Sequence, residues 1–370
     1  MGQNNLPVLA REYNKHGVGG AQVQMTLLAK ALVERGHEVS MVVGDYGQED
    51  GAAWQGIKTY KTFKPNDGLP LFRFMHPRWT STWSALARAD ADIYFTSCAG
   101  MQVGLLALFC NRANKGFIYR LASDLDADPK NAAIRFWRDR KLYEYGLKRA
   151  DKVLCQNEKQ RELLKKNCSL NASLIKSLIE PPAIDLALHD RNIEILWVGN
   201  LRNIKRPDLA IELGRRLPMR DLHMIGGQLT GFSELFEDIE QEADSLSNIT
   251  FHGQVPYHDV GDLYDRARVF VNTSDTEGFP NTYLQSWRRG VPVVAFFDPD
   301  GLISREGLGC AVNGMDEMQQ AVDKLLTDDT EWYACSERCR RYMEQNHNDN
   351  QVLESYQDAI QSAYERKGAL

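Results

Sequence analysis

No stretch of this 370-residue chain is apolar for long enough to span a bilayer, and its first residues lack the pattern of a secretory leader. The seven cysteines (Cys98, Cys110, Cys155, Cys168, Cys310, Cys335 and Cys339) are scattered, with no Cys-x2-Cys pair, which excludes a zinc-ribbon spacing. Reduced thiols in a cytosolic protein are therefore expected, and Asn171-Ala-Ser and Asn248-Ile-Thr read as chance matches to glycosylation sequons. Internal repeats and low-complexity tracts are missing. So is any overall excess of positive charge: 44 Lys+Arg stand against 50 Asp+Glu, a net charge of −6. With no recognisable nucleic-acid module either, nucleic acid is not an expected partner. The Gly-x-Gly-x-x-Gly fingerprint of a dinucleotide dehydrogenase is also lacking, because Val23 and Gln24 follow Gln22 after the Gly19-Gly20-Ala21 turn.

What is there is a long alternation of short apolar runs and amphipathic segments. The length favours two domains. In the first half, Leu6 to Arg11 reads as a strand, Gln22 to Arg35 as a helix stopped by Gly36, and Glu38 to Val43 as the next strand. Ile93 to Thr96, Phe117 to Leu121 and Lys152 to Gln156 follow as strands, and Ala132 to Lys148 as a long helix. Glu180-Pro181-Pro182 interrupts the pattern. A second alternation then begins: a strand at Ile193 to Val198, a helix at Pro207 to Arg216, and further strands at Asp221 to Ile225 and Ile249 to His252. The expected class is α/β, with two Rossmann-like domains of parallel sheet facing across a cleft. The expected boundaries are 1–182, 183–348 and a C-terminal helix in 349–370 that returns to the first domain. Charge divides at the same place. Residues 1–185 hold 26 Lys+Arg against 19 Asp+Glu, and the remainder 18 against 31. A basic first half suits either an anionic partner or a plain solvated surface.

The most informative stretch is Glu277-Gly278-Phe279-Pro280-Asn281-Thr282-Tyr283-Leu284-Gln285. A carboxylate ends a strand-like run, a tight turn follows, and an apolar helix from Thr282 to Arg289 is closed by Gly290. Strand ends beside helix N-termini favour anions, phosphate above all, and a lone carboxylate there accepts from sugar hydroxyls. A phosphorylated sugar therefore fits.

These residues resemble the retaining glycosyltransferases of family 4, which have the GT-B fold, and specifically those of the polysaccharide type. Glu277 matches the first acid of the family's Glu-x7-Glu signature; the second position is Gln285, a departure that keeps an acceptor carbonyl for a donor ribose but loses the charge. Gly199-Asn200-Leu201-Arg202-Asn203-Ile204-Lys205-Arg206 resembles the family's Gly-Arg-Leu-x3-Lys-Gly. Lys205 falls on the lysine that holds the donor diphosphate. Asn200 replaces the arginine, and Arg202 or Arg206 is the candidate substitute. The stretch from Asn248 through Gln254 and Val255 to Tyr264 resembles the loop that cups the nucleotide base. Gly19 and Gly20 resemble the glycine-rich loop of the first domain.

Asp124-Leu125-Asp126-Ala127-Asp128 invites a metal reading, but it lacks the glycine and the terminal acid of a calcium loop, and the family resembled needs no metal. Asp124 is left with two readings: orienting the acceptor or donor sugar, or belonging to a helix N-cap cluster. The family often has a histidine in this region, where Ser123 stands here. The resemblance implies hexosyl transfer from a nucleotide sugar, UDP-sugar before GDP-mannose, to a glycan or lipid-linked acceptor. Glu277, Lys205 and Asp124 would be catalytic, with no cofactor and no metal. Two rivals remain open: a non-catalytic partner of the same fold and a sugar-nucleotide epimerase. Two aromatic-basic stretches, Phe72 to Trp83 and Arg135 to Lys141, suit an anionic membrane surface or ordinary core and solvated cations. The expected location is cytoplasmic, at the inner face of the membrane if the lipid-linked acceptor holds.

Overall fold

Strand β8 (Ile193–Val198) shows how the second half is built. Ile193 and Leu196 enter one apolar cluster and Ile195 and Trp197 the other, so both faces of the strand are buried. The same two-sided burial holds for β11 (Ala267–Asn272), where Phe270 packs on one side and Val269 and Val271 on the other. Such strands need helices on both faces, and the chain supplies them. Tyr257–Asp265, Asn281–Arg288 and Asp329–Asn346 cover one side; Pro207–Arg216, Ser233–Asp244 and Met315–Thr327 cover the other. In Pro207–Arg216 the proline opens the helix, where its missing N–H costs nothing. With β9 (Leu222–Ile225), β10 (Ile249–Phe251), β12 (Val293–Ala295) and β13 (Gly309–Ala311), the sheet is entirely parallel in the order β10-β9-β8-β11-β12-β13.

The computed structural model describes residues 1–14, 17–69, 72–130, 132, 134–229 and 231–368. It divides into two units, Met1–Leu178 with Asp349–Leu370, and Ile179–Asn348. In the first unit, β4 (Ile93–Ser97), β5 (Gly116–Arg120), β6 (Lys152–Cys155) and β7 (Ser173–Leu174) form one parallel sheet. A second sheet holds β1 (Ser40–Val43), β3 (Ile57–Lys61) and the antiparallel β2 (Ala53–Trp54) in the order β1-β3-β2. Residues 1–3 lie between the sheets: Gly2 N donates to Val42 O at 3.0 Å, Gly44 N to Gln3 O at 2.9 Å, and Thr96 Oγ1 to Met1 O at 3.0 Å. The last helix, Asp349–Gly368, belongs to this unit. Arg35 Nη2 donates to Asn350 Oδ1 at 2.7 Å, and Arg366 Nη1 to Asp151 O at 2.8 Å.

Two sequence expectations are corrected. Leu6 to Arg11 is not a strand: Leu6–Leu9 is a short α-helix and Arg11–Tyr13 a 3-10 turn. Leu6, Val8, Leu9 and Ala10 are all buried, and a continuous apolar run does not separate strand from helix. Pro7 suits a helix's first turn, and the Asn5 carbonyl accepts from Val8 and Leu9. The long helix starts at Trp137 and ends at Leu147, because Phe136 is extended (φ −101°, ψ 133°). Of the residues assigned to the lost turn, 133 lies outside the described residues.

Close backbone approach explains two glycines. A Cβ on Gly104 would stand 2.2 Å from Leu142 O, and one on Gly146 2.4 Å from Val103 O. The helices Met101–Ala113 and Trp137–Leu147 therefore touch backbone to backbone. Neither contact can yield by a rotamer change. Gly146→Ala is expected to cost about 1–3 kcal/mol by overpacking, read as a lower midpoint in urea denaturation.

Candidate functional site

In the second unit the chain runs β8, β9, β10 towards one edge of the sheet and then returns to β11, β12, β13 towards the other. The order reverses between β8 and β11. In an open α/β sheet the carboxyl ends of the strands at such a reversal are the usual ligand position. The loop after β8 carries Asn200, Arg202, Lys205 and Arg206, and the loop after β11 carries Glu277, Gly278, Phe279 and Pro280. Lys205 and Glu277 form a direct ion pair, with Nζ bound to Oε1. Ser274 Oγ donates to the same Oε1 at 2.8 Å. Among the described residues nothing donates to Oε2, so that oxygen is left to accept from a ligand.

The loops are tied together at backbone level. Thr273 Oγ1 accepts from Trp197 Nε1 at 2.9 Å and shares its own proton between the carbonyls of Lys205 and Arg206, both at 2.8 Å. Asp275 N donates to Ile204 O at 3.0 Å, and Ser274 N to Asn272 Oδ1 at 3.0 Å. Thr273 and Ser274 are buried. The sequence reading missed both, since a hydroxyl just past an apolar strand looks like an ordinary strand end.

The two candidate arginines differ. Arg206 opens the helix Pro207–Arg216 in the left-handed conformation (φ 48°, ψ 55°). It binds Asp208 through Nε at 3.0 and 3.2 Å and Nη2 at 2.8 Å, and lies 3.6 Å from Asp275. The hydrogen bonds to Asp208 raise its pKa further above the usual arginine value. Arg202 is exposed and makes no ion pair among the described residues, which leaves it the arginine available to an incoming anion.

Asn281 and Thr282 begin the helix Asn281–Arg288, which follows Glu277 after the Gly278-Phe279-Pro280 turn. On the same helix Gln285 is half-buried, and its Oε1 accepts from Arg289 Nη1 at 2.8 Å. One lone pair and the Nε2 amide remain for other partners. Arg289 is itself buried, with Nε 2.6 Å from Asp265 Oδ1, a pair the sequence reading did not find. Gln254 reaches over the backbone after β9, where a Cβ on Gly227 would stand 3.3 Å from its Cγ, and Val255 follows. Tyr283 donates to Phe297 O at 2.9 Å; burial, with Glu277 and Asp298 adding to it, holds its phenol well above the ordinary pKa.

Gly19, Gly20 and Asp124 lie in the first unit. Gly19 is extended and caps the helix Gly20–Glu34. Asp124 pairs with Lys159 at 2.8 Å and accepts from Gln160 Nε2 at 3.1 Å. The N-cap role belongs to Ser123, in a capping box with Asp126. Burial raises the Asp126 pKa even though Ala122 N and Ser123 donate to it. Asp128 accepts from Lys130 N at 3.1 Å. The three carboxylates thus serve three different sets of partners. Among the described residues no group of three His, Cys, Asp or Glu side chains could hold a metal ion.

Comparison with known proteins now applies to both units. Residues 18–186 match the model "Glycosyltransferase Family 4" and residues 192–328 match "Glycosyl transferases group 1". The chain belongs to these glycosyltransferase families. It is 30% identical over 141 residues to the O-antigen biosynthesis glycosyltransferase WbnH of Escherichia coli, an alignment covering 36% of this chain and only 38% of that protein. It is 25% identical over 310 residues to one component of the human phosphatidylinositol N-acetylglucosaminyltransferase, covering 75% and 59% respectively. Sucrose-phosphate synthase from Thermosynechococcus elongatus superposes with a TM-score of 0.75 at 18% identity, over 94% of each chain. Anabaena HepE in complex with UDP-glucose gives 0.72 at 14% identity, over 94% of this chain and 97% of that one. These glycosyltransferases share the GT-B fold of two Rossmann-like domains, and this chain has it.

Proposed function

We propose that the protein transfers a hexosyl group, with retention and without a metal, from a nucleotide diphosphate sugar to a glycan or lipid-linked acceptor in surface polysaccharide synthesis. The observation that carries this reading is the Lys205–Glu277 pair at the point where the strand order reverses. A diphosphate leaves with rising negative charge, and a fixed cation beside it stabilises the transition state. Lys205 is that cation, with Arg202 and the first-turn amides of Asn281 and Thr282 as further donors. Glu277 Oε2 orients the sugar hydroxyls. Attack from the face the diphosphate leaves lets a phosphate oxygen take the acceptor proton, so no separate protein base is required. UDP-sugar is the first choice of donor and GDP-mannose the second; the HepE complex with UDP-glucose, on the same fold, supports that order. The O-antigen relatives support the polysaccharide setting.

The donor is tested by thermal unfolding against UDP, GDP and a panel of nucleotide sugars. Ligand at 100 times its dissociation constant adds roughly 2.7 kcal/mol. A shift with uridine nucleotides alone is expected. A shift with guanine nucleotides alone would replace the donor. No shift with any nucleotide would favour the non-catalytic reading, which Gln285 and Asn200 support by standing where the family has an acid and an arginine.

A further inference from the structure

The exposed apolar side chains are unevenly placed. Of the eleven exposed large hydrophobic side chains among the described residues, five (Leu69, Phe72, Met75, Phe136 and Trp137, at 70%, 63%, 60%, 50% and 78%) fall in two short segments of the first unit, while the other six are scattered. Arg138 joins the segments: its guanidinium lies 3.6 Å from the ring centre of Phe74 and 5.8 Å from that of Phe136. Arg135 stacks on Phe136 at 5.3 Å, and Phe74 packs on Trp79 at 5.8 Å. Residues 72–79 and 134–141 carry six Lys or Arg and a single acid, Asp139, which pairs with Arg138 at 3.0 Å. Arg73, Arg78, Arg135 and Arg140 make no ion pair among the described residues. Arg73 and Arg140 reach only the backbone carbonyls of Gly68 and Ile134.

An exposed tryptophan next to an exposed phenylalanine, with Phe72 and Met75 also exposed in the segment that Arg138 joins to them, does not suit bulk water. Aromatic residues, Met and Arg also occur together at protein–protein interfaces, so the sign of the charge decides: the two segments hold six Lys or Arg and their single acid is already paired. A bilayer surface accommodates both: aromatic rings settle at the boundary of headgroups and acyl chains, and arginines face the lipid phosphates. Because the unpaired charge is all positive, the complementary surface is anionic. We propose that residues 72–79 and 134–141, with Leu69, dock this protein on an anionic bilayer, with Phe72, Met75 and Trp137 entering the headgroup layer. Peripheral docking suits a chain in which no helix among the described residues is long and apolar enough to cross a membrane. The proposal is independent of the donor and of sugar transfer.

The test is co-sedimentation of the full chain with vesicles of phosphatidylcholine alone or mixed with phosphatidylglycerol. Binding to the mixed vesicles at low salt is expected, with at least a tenfold loss on neutral vesicles or in high salt. Arg73→Gln and Arg135→Gln should each lower partitioning about fivefold, the equivalent of roughly 1 kcal/mol per cation. An unchanged melting temperature shows that these variants fold. In vesicles with brominated acyl chains, wild-type fluorescence should be quenched. Trp137→Phe should still sediment but lose most of the quenching. Equal binding to neutral and anionic vesicles, no binding to either, or quenching unchanged in Trp137→Phe would overturn the proposal. So would concentration-dependent dimers that Trp137→Ser abolishes in a protein indifferent to vesicles, which would assign the patch to a second copy.

Discussion

Lys205→Ala is expected to lower kcat/KM for sugar transfer by 100- to 1000-fold, about 2.7–4 kcal/mol of transition-state stabilisation. The size of the effect follows from how the lysine is held. Its side chain is 25% exposed, so it is partly withdrawn from water yet open to a ligand. Its backbone is pinned by Thr273, which Trp197 orients from within the sheet. A charge fixed this way needs little reorganisation as the diphosphate leaves. Lys205→Arg should recover only part of the loss, since a planar fork does not replace a compact ammonium at the same point. Initial rates from subsaturating to saturating donor, with UDP affinity measured separately, check the assignment. UDP should bind more weakly to Lys205→Ala. Turnover within about threefold of wild type would remove the lysine from the reaction, and a large drop in melting temperature would mark its role as structural.

The parts of this site written in local pattern were legible in the sequence. Pro207 at a helix start, the apolar run at Ile193–Val198 and the Gly278–Asn281 turn each announce themselves within a few residues, because proline, burial and tight turns act locally. What joins them is not local. Lys205 meets Glu277, and Trp197 meets Thr273, because β11 returns to lie beside β8, and no window along the chain shows that return. The Asp265–Arg289 pair, 24 residues apart, escaped for the same reason. The misread Leu6–Arg11 segment failed differently. With Leu6, Val8, Leu9 and Ala10 all buried, it has no polar face from which a period could be read. In the Asp124–Asp128 cluster three acids at alternate positions suggest a metal, and only the folded chain shows each engaged elsewhere.

Glu277→Gln should reduce turnover at saturating donor by about 100-fold or more, the scale of losing one preorganised electrostatic contact to the reacting group. The substitution is nearly isosteric. Ser274 can still donate to the retained oxygen at the Oε1 position, so the loop keeps its shape while the charge is lost. The two variants should part company with UDP alone. Lys205 faces the diphosphate and its loss weakens UDP. Glu277 faces the sugar, which UDP lacks, and its carboxylate competes with phosphate for Lys205. Removing that charge frees the lysine, so Glu277→Gln should bind UDP as tightly as wild type or more tightly while transferring sugar poorly. Because the side chains touch, the losses in the double variant should be far from additive. If Glu277→Gln weakens UDP as much as Lys205→Ala does, the carboxylate belongs to the phosphate site's scaffold. If it keeps wild-type turnover, Oε2 does not hold the sugar.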